Sequence, residues 1–479
     1  MKILRILSVL LISAGAADSQ VEPPRAFGPV PSPAQVTWQK LEYSAFLHFS
    51  MNTFTDKEWG YGDEPESLFM PTAFDAASMV RTLKEAGMKS VILTCKHHDG
   101  FCLWPTATTD HSVKKSPWRN GRGDIVKEIS DACRDLGLGF GVYLSPWDRN
   151  SADYGRPEYL DIYRKQLSEL LTNYGPISEV WFDGANGGDG YYGGARETRT
   201  IDRKTYYQWN ETWGLVKKLQ PQAVIFSDGG PDVRWVGDEE GYAGETNWSL
   251  LRRNEVYPGY DKYTELISEH ADGTHWVPAE CDVSIRPGWF YHPNQDTLVK
   301  SPIALYNLYF QSVGRNASLL LNVPPDRRGR IHPTDSSALM AFKELREETF
   351  RVNYARRGRA SATAVRGNDP RFAAANVNDG NPETYWSTDG GMTTGSVVVE
   401  LDSQTTVGCV LLQEYISLGQ RVGKFSIDLW DGSAWTEGAT GTTIGYKRML
   451  RFSPRPVTKI RLTIVQSGAC PAISTISVF

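Results

Sequence analysis

Two periodicities divide this chain. Up to about Tyr354, short apolar runs alternate with amphipathic stretches. The runs are Tyr43–Phe49, Ser90–Cys95, Gly139–Leu144, Glu179–Phe182, Ala223–Phe226, Thr274–Val277 and Ser318–Val323, and each suits a short buried strand. Between them Phe74–Ala86, Asp124–Leu136, Glu158–Thr172, Lys204–Leu219, Ser301–Val313 and Ser336–Thr349 repeat with helical spacing. Phe74–Ala86 shows the punctuation of a helix, with Asp75 as N-cap and Gly87 as stop. Strands that alternate with helices predict βα units and a parallel sheet. Seven strands over roughly 300 residues fit a (β/α)₈-like barrel with one strand undetected. A doubly wound sheet is the alternative, weakened because no Gly-rich phosphate loop follows the first strand.

Near Arg356 the helical period stops. Short alternating runs follow at Gly395–Leu401, Val407–Gln413, Lys424–Leu429, Lys459–Val465 and Ala472–Phe479, bounded by Gly, Asp, Asn and Thr. This pattern predicts an antiparallel β-sandwich, a jelly roll, over residues 356–479. The barrel is expected over 18–355, an α/β domain ahead of an all-β one. Residues 1–17 read as a signal peptide: Lys2 and Arg5, the apolar run Ile6–Ile12, then Ala14-Gly15-Ala16. No Cys follows that run to take a lipid anchor, and no later run is long enough to span a bilayer. A periplasmic or secreted protein is expected.

The net charge of -5 offers no basic surface, which argues against nucleic acid as a partner. Fifteen Trp and 22 Tyr supply flat apolar faces of the kind on which sugar rings stack, although such residues also fill cores. The six cysteines stand singly, without CxxC pairs; Cys409 and Cys470 are the candidate disulfide, and the rest read as small buried apolar residues.

Polar residues gather at the predicted strand ends. His48 closes the first, His97-His98-Asp99 the second; Tyr143, Trp147 and Asp148 belong to the third, Asp183 to the fourth and Asp228 to the fifth. Glu280 and Asp282 lie past the sixth. Carboxylates at the C-terminal tips of barrel strands are where this fold keeps its chemistry. Asp183, in SEVWFDGAN, is either a loop cap or a catalyst. Neighbouring residues on an extended strand point opposite ways, so His97 and His98 ligate one metal only if the strand has already turned. His-x-His and His-x-x-x-His spacings are absent, and no catalytic metal is expected. Glycoside hydrolysis, in contrast, needs two carboxylates. Asp183 is the candidate nucleophile; Glu239, Glu240, Glu245 and Glu280 compete for the acid.

The segments HFSMNTFTDKEWG, KHHDGFCLWPT, VYLSPWD, VWFDGAN, DVRWVGDEEGYAGETNW and GRNASLLLNVPPDRRG occur in this order across Gln35–Tyr354. Together they resemble the α-L-fucosidases of glycoside hydrolase family 29. The resemblance implies a (β/α)₈-like barrel, retention through a covalent intermediate, no cofactor and fucosylated glycans as substrates. It makes Asp183 the nucleophile and places His48, Glu58, Trp59, His97, His98, Trp181 and Tyr143 around the sugar. RWVGDEEG resembles the signature of the branch acting on α-1,3/1,4-linked fucose, which makes Glu239 the acid/base, although Asp238 stands where that signature has Asn. Glu280 is the fallback, and Arg286, Trp289 and His292 of the same segment are expected to shape the site. Alternatives are a broad-specificity or α-1,2-acting enzyme, or a barrel that binds sugar without turnover. Ala375–Thr388 (ANVNDGNPETYWST) resembles the discoidin jelly rolls and family 32 carbohydrate-binding modules, which implies a structural calcium near Asp379 and Glu383; a plain Asp-Gly turn is the alternative. Asn316-Ala317-Ser318 matches a glycosylation acceptor by chance, inside the last strand.

Overall fold

The computed structural model describes residues 21–267 and 270–479; the leader assigned to 1–17 lies outside them. Eight parallel strands close into a barrel in sequential order: β1 (Tyr43–Leu47), β2 (Ser90–Lys96), β3 (Gly139–Leu144), β4 (Glu179–Trp181), β5 (Val224–Ser227), β6 (Val233–Trp235), β7 (Ala279–Ser284) and β8 (Ala317–Asn322). The strand alternation sorts two cores. Ala45, Leu47, Val142, Leu144, Val180 and Phe182 face the outer helices. Phe46, Tyr143, Trp181, Phe226 and Leu320 point inward and fill the barrel, with Trp38 closing one end. The predicted helices are all present, including Ala76–Glu85, whose first turn is capped by Asp75 accepting from Ser78 N at 2.9 Å.

The sixth predicted strand is a correction. Within Thr274–Val277, His275 and Trp276 pair antiparallel with Leu250 and Leu251 outside the barrel. The barrel instead takes Val233–Trp235 and Ala279–Ser284. Both were masked by charge that the fold buries: Arg234 is fully buried and donates to Asn247 Oδ1 at 2.9 Å, and Glu280 and Asp282 lie within β7. No helix separates β5 from β6, which are joined through Asp228–Asp232 alone.

The C-terminal domain is antiparallel, with β9 (Arg359–Ala362), β10 (Trp386–Ser387), β11 (Gly395–Glu414), β12 (Val422–Trp430), β13 (Trp435–Gly441), β14 (Arg448–Ser467) and β15 (Ala472–Val478) in the order β10–β15–β11–β14–β12–β13, and β9 beside β11. Two predicted runs join into β11, whose register shifts twice along β14. Its two ends pair with different partners, β9 and β15, so one strand serves both layers around a core that includes Trp386, Phe425 and Leu462.

This domain packs against the end of the barrel where the strands begin. Lys447 and Tyr446 reach Glu42 just before β1, and Tyr446 N donates to Oδ1 of Asn316, just before β8, at 2.7 Å. Asn316 is thus buried and unavailable to a glycan. All six cysteines are free, which overturns a Cys409–Cys470 bridge: Cys470 lies under Arg421, whose Nη1 donates to its carbonyl at 2.7 Å, whereas Cys409 packs with the barrel-side core. The Asp379–Glu383 loop is tied by contacts within the protein. Asp379 Oδ2 accepts from Thr384 Oγ1 at 2.6 Å, and Glu383 turns to Lys40 Nζ at 3.0 Å. Among the described residues no helix is long and apolar enough to cross a membrane.

Candidate active site

A cleft of about 330 Å³ opens at the C-terminal ends of the barrel strands. His48, Trp59, His97, His98, Tyr143, Trp181, Asp183, Glu239 and Trp289 line it, so the structure brings together most of the residues singled out from the sequence. Both His97 and His98 face it because β2 stops at Lys96 and the chain turns at once, with Gly100 N donating to His97 O at 3.0 Å. Their ring centroids are 4.1 Å apart. Strand alternation therefore does not apply to the pair.

Asp183 sits past the tip of β4 and is fixed at both oxygens. Ala185 N donates to Oδ1 at 2.6 Å and Tyr143 Oη to Oδ2 at 2.9 Å. Only glycine is tolerated next to it, since a Cβ on Gly184 would stand 2.1 Å from Asp228 Oδ2. Asp228 accepts from Gly259 N at 2.6 Å, and burial pushes its carboxyl up to about 7. Trp181 forms the floor, stacked on Phe226 at 4.0 Å.

Four glutamates competed for the acid, and the structure separates them. Glu239 reaches the cleft wall, where Trp289 Nε1 donates to its Oε2 at 3.3 Å. Partial desolvation raises its pKa above the ordinary carboxylate value, the hydrogen bond from Trp289 opposes this, and the charge of Asp183 adds to the rise. Glu240 lies outside the lining, and Glu245 pairs with Arg315 elsewhere. Glu280 lies beneath the floor, accepting from Trp181 Nε1 at 3.0 Å. Burial and then the charge of Glu179 hold its pKa well above normal.

Several other residues stand behind the lining. Glu58 accepts from Trp289 N at 2.8 Å and from His292 Nε2 at 2.6 Å, positioning the loop that presents Trp289. Arg286 is buried between Asp296 and Asp335, each at 2.9 Å, and does not line the cleft. At the mouth stand Trp235, Tyr260, Asp261, Tyr263 and Arg203, with Asp282 held by Trp235 Nε1 at 2.7 Å. Sequence reading passed over the Tyr260–Tyr263 stretch because it lies in a long loop without a strand end to anchor it; its run of tyrosines was the available signal. Among the described residues no group of three or more His, Cys, Asp or Glu side chains could hold a metal.

A barrel with Asp183 and Glu239 among histidines and tryptophans at its strand ends has the parts that a glycoside hydrolase needs. The alpha-L-fucosidase family model matches residues 27–344, and a NedA-like, galactose-binding domain model matches 376–462. The chain is 41% identical to alpha-L-fucosidase 1 of Arabidopsis thaliana, over 94% of this chain and 87% of that one. It superposes on a glycoside hydrolase 29 family member from an unknown rumen bacterium with TM-score 0.85 and 45% identity, covering 95% of this chain and 78% of that one. A Ruminococcus gnavus GH29 fucosidase solved in complex with fucose gives TM-score 0.86 and 34% identity, covering 96% of each chain. The protein belongs to the alpha-L-fucosidase family, glycoside hydrolase family 29, and is an α-L-fucosidase with a galactose-binding-type domain at its C-terminus.

Proposed function

We propose that the enzyme releases α-L-fucose with retention of configuration, with Asp183 as nucleophile and Glu239 as acid/base. The observation that supports this most is the glutamate sorting: of four candidates, Glu239 alone shares the cleft with Asp183. The Asp183 carboxylate attacks the anomeric carbon as Glu239 passes its proton to the departing glycosidic oxygen. Glu239 then takes a proton from water, which displaces Asp183 and restores both groups. The pKa of Glu239 is raised above the ordinary carboxylate value, the direction a general acid requires. His48, His97 and His98 address the sugar hydroxyls, and Phe46, Trp181 and Trp289 provide an apolar wall suited to the 6-methyl group of fucose.

The substrates proposed are Lewis-type glycans with α-1,3/1,4-linked fucose, in a periplasmic or secreted setting. Supporting the linkage are the RWVGDEEG segment and a mouth lined by Trp235, Tyr263, Arg203 and Asp261, which suits a branching sugar beyond the fucose. Hydrolysis of a Lewis trisaccharide, an α-1,2-fucosyllactose and an aryl fucoside, compared by kcat/KM, tests it. The trisaccharide should lead by at least tenfold, a difference of about 1.4 kcal/mol in transition-state binding. Equal rates on all three would assign the enzyme to a broad-specificity role.

A further inference from the structure

The three cleft histidines differ in what stands behind them. In each, Nδ1 is engaged inside the protein, and no hydrogen bond among the described residues engages Nε2, the nitrogen left for the cleft. The partner of Nδ1 therefore decides whether Nε2 offers a proton or a lone pair.

Behind His98 stands Ser145 Oγ, at 2.7 Å. Ser145 has one hydroxyl proton, and Oγ also lies 2.8 Å from Trp147 O, a carbonyl that only accepts. The proton goes to that carbonyl, so His98 Nδ1–H donates to Ser145 and Nε2 is bare. Behind His48 stands Asn322 Oδ1, at 2.9 Å. The amide orientation is fixed because Asn322 Nδ2 donates to Trp289 O at 2.8 Å and Ser284 Oγ at 2.9 Å, while Oδ1 also accepts from His48 N. His48 thus has its proton on Nδ1 too. Behind His97 stands Asn52 Nδ2, which also donates to Glu58 O at 3.1 Å and faces His97 Nδ1 at 3.4 Å. A donor there leaves the His97 proton on Nε2.

We propose that Ser145, Asn322 and Asn52 are positioning residues that set a fixed polarity in the sugar site. His48 and His98 each present a hydrogen-bond acceptor, and His97 presents a donor. Bound fucose, on the reading above, must donate twice and accept once at these three rings. The arrangement has a second consequence. His98 Nε2 stands 3.9 Å from Asp183 Oδ2, the oxygen that already accepts from Tyr143. Ser145 holds the imidazole proton on the far nitrogen and leaves the nucleophile without an imidazole donor. Burial keeps all three rings neutral, pulling His48 down to about 3, His98 to about 4 and His97 well below the usual range. The charged and titratable groups facing His98 are Asp183, which favours its charged form, and Arg149, Lys96, His48 and His97, which oppose it.

The test is tautomer assignment by histidine-selective ¹⁵N NMR on the full chain at neutral pH. Signals are assigned by their loss in His48→Gln, His97→Gln and His98→Gln. His48 and His98 should show the proton on Nδ1, against the preference of free imidazole, and His97 on Nε2. A proton on Nε2 of His98 in the wild type overturns the proposal, whatever the activity of the enzyme. In Ser145→Ala the His98 proton should move to Nε2 and face Asp183. The inhibition constant of free fucose should then rise about tenfold, as for one lost hydrogen bond. The acid limb of kcat/KM should also move to lower pH, because a donor on Asp183 favours its carboxylate; a merely structural defect would not do this, and Ser145→Thr should restore both. An unmoved acid limb in folded Ser145→Ala with an unchanged inhibition constant would refute the role of Ser145. Absence of fucosidase activity together with the stated tautomers would refute the functional reading and leave the polarity intact.

Discussion

Glu280 provides the sharpest separation between a carboxyl that reacts and one that only supports. It lies under the cleft floor with Glu179, and both are buried. Trp38 Nε1 donates to Glu179 Oε2 at 2.7 Å, and Trp181 Nε1 donates to Glu280 Oε1 at 3.0 Å. Glu179 Oε1 finds no other donor among the described residues, and a protonated Glu280 supplies one. Burial raises the pKa of Glu179 to about 8 and holds that of Glu280 well above the ordinary carboxylate range. In Glu280→Gln the amide oxygen still accepts from Trp181 and the amide nitrogen still donates to Glu179. Stability should change by less than about 1 kcal/mol, and kcat/KM by less than about threefold, since no group of the mechanism is lost. Glu280→Leu strands Trp181 Nε1 and Glu179 Oε1, each costing about 1–3 kcal/mol, or about 2–6 kcal/mol in denaturant melts. Glu239→Gln should melt like the wild type but lose about 10²–10⁴ in rate on a substrate with a poor leaving group. Paired kinetics and melts of the three variants decide the matter. A folded Glu280→Gln that has lost several orders of magnitude in rate would refute the assignment of Glu239.

The same pair makes stability fall with rising pH. A carboxyl whose folded pKa is raised stabilises the fold most below its unfolded pKa, about 4.5, and that contribution is lost as pH climbs to about 8. Glu179→Gln should flatten the melting temperature across that window. His48 and His98 act in the opposite sense: their depressed pKa values should cost stability as pH drops from about 6.5 to about 3, and fucose binding should weaken below about pH 4, read by calorimetry. Arg286→Ala leaves Asp335 buried without its cation and should destabilise by about 3–5 kcal/mol, while kcat per folded molecule stays near the wild-type value. Expressed alone, residues 18–355 should aggregate or melt early, because Asn247, Asn316 and Glu42 would lose the partners that Gln420, Tyr446 and Lys447 provide.

Much of the barrel was legible because strands buried on both faces read as plain apolar runs. The exceptions show what hides a strand. Val233–Trp235 and Ala279–Ser284 hold Arg234, Glu280 and Asp282 inside the barrel, so their composition mimics a loop, whereas His275–Trp276 is apolar enough to mislead. The cleft residues at strand ends could be found because the fold puts chemistry there. Glu58 and Arg286 could not be separated from the lining residues, since their motifs do not reveal that one supports a loop and the other an ion-pair cluster. For the acid, the RWVGDEEG resemblance pointed to Glu239 with Glu280 as fallback, and of the two only Glu239 lines the cleft.

Whether Asp183 is a loop cap or the nucleophile is the question on which everything else depends. A slow 2-fluoro fucosyl substrate should leave a covalent fucosyl adduct, and mass spectrometry of the digested protein locates it. The adduct should lie on the peptide containing Val180–Asn186, at Asp183, and be absent from Asp183→Ala. Labelling of any other carboxylate, or release of inverted fucose with no adduct at all, would contradict the account.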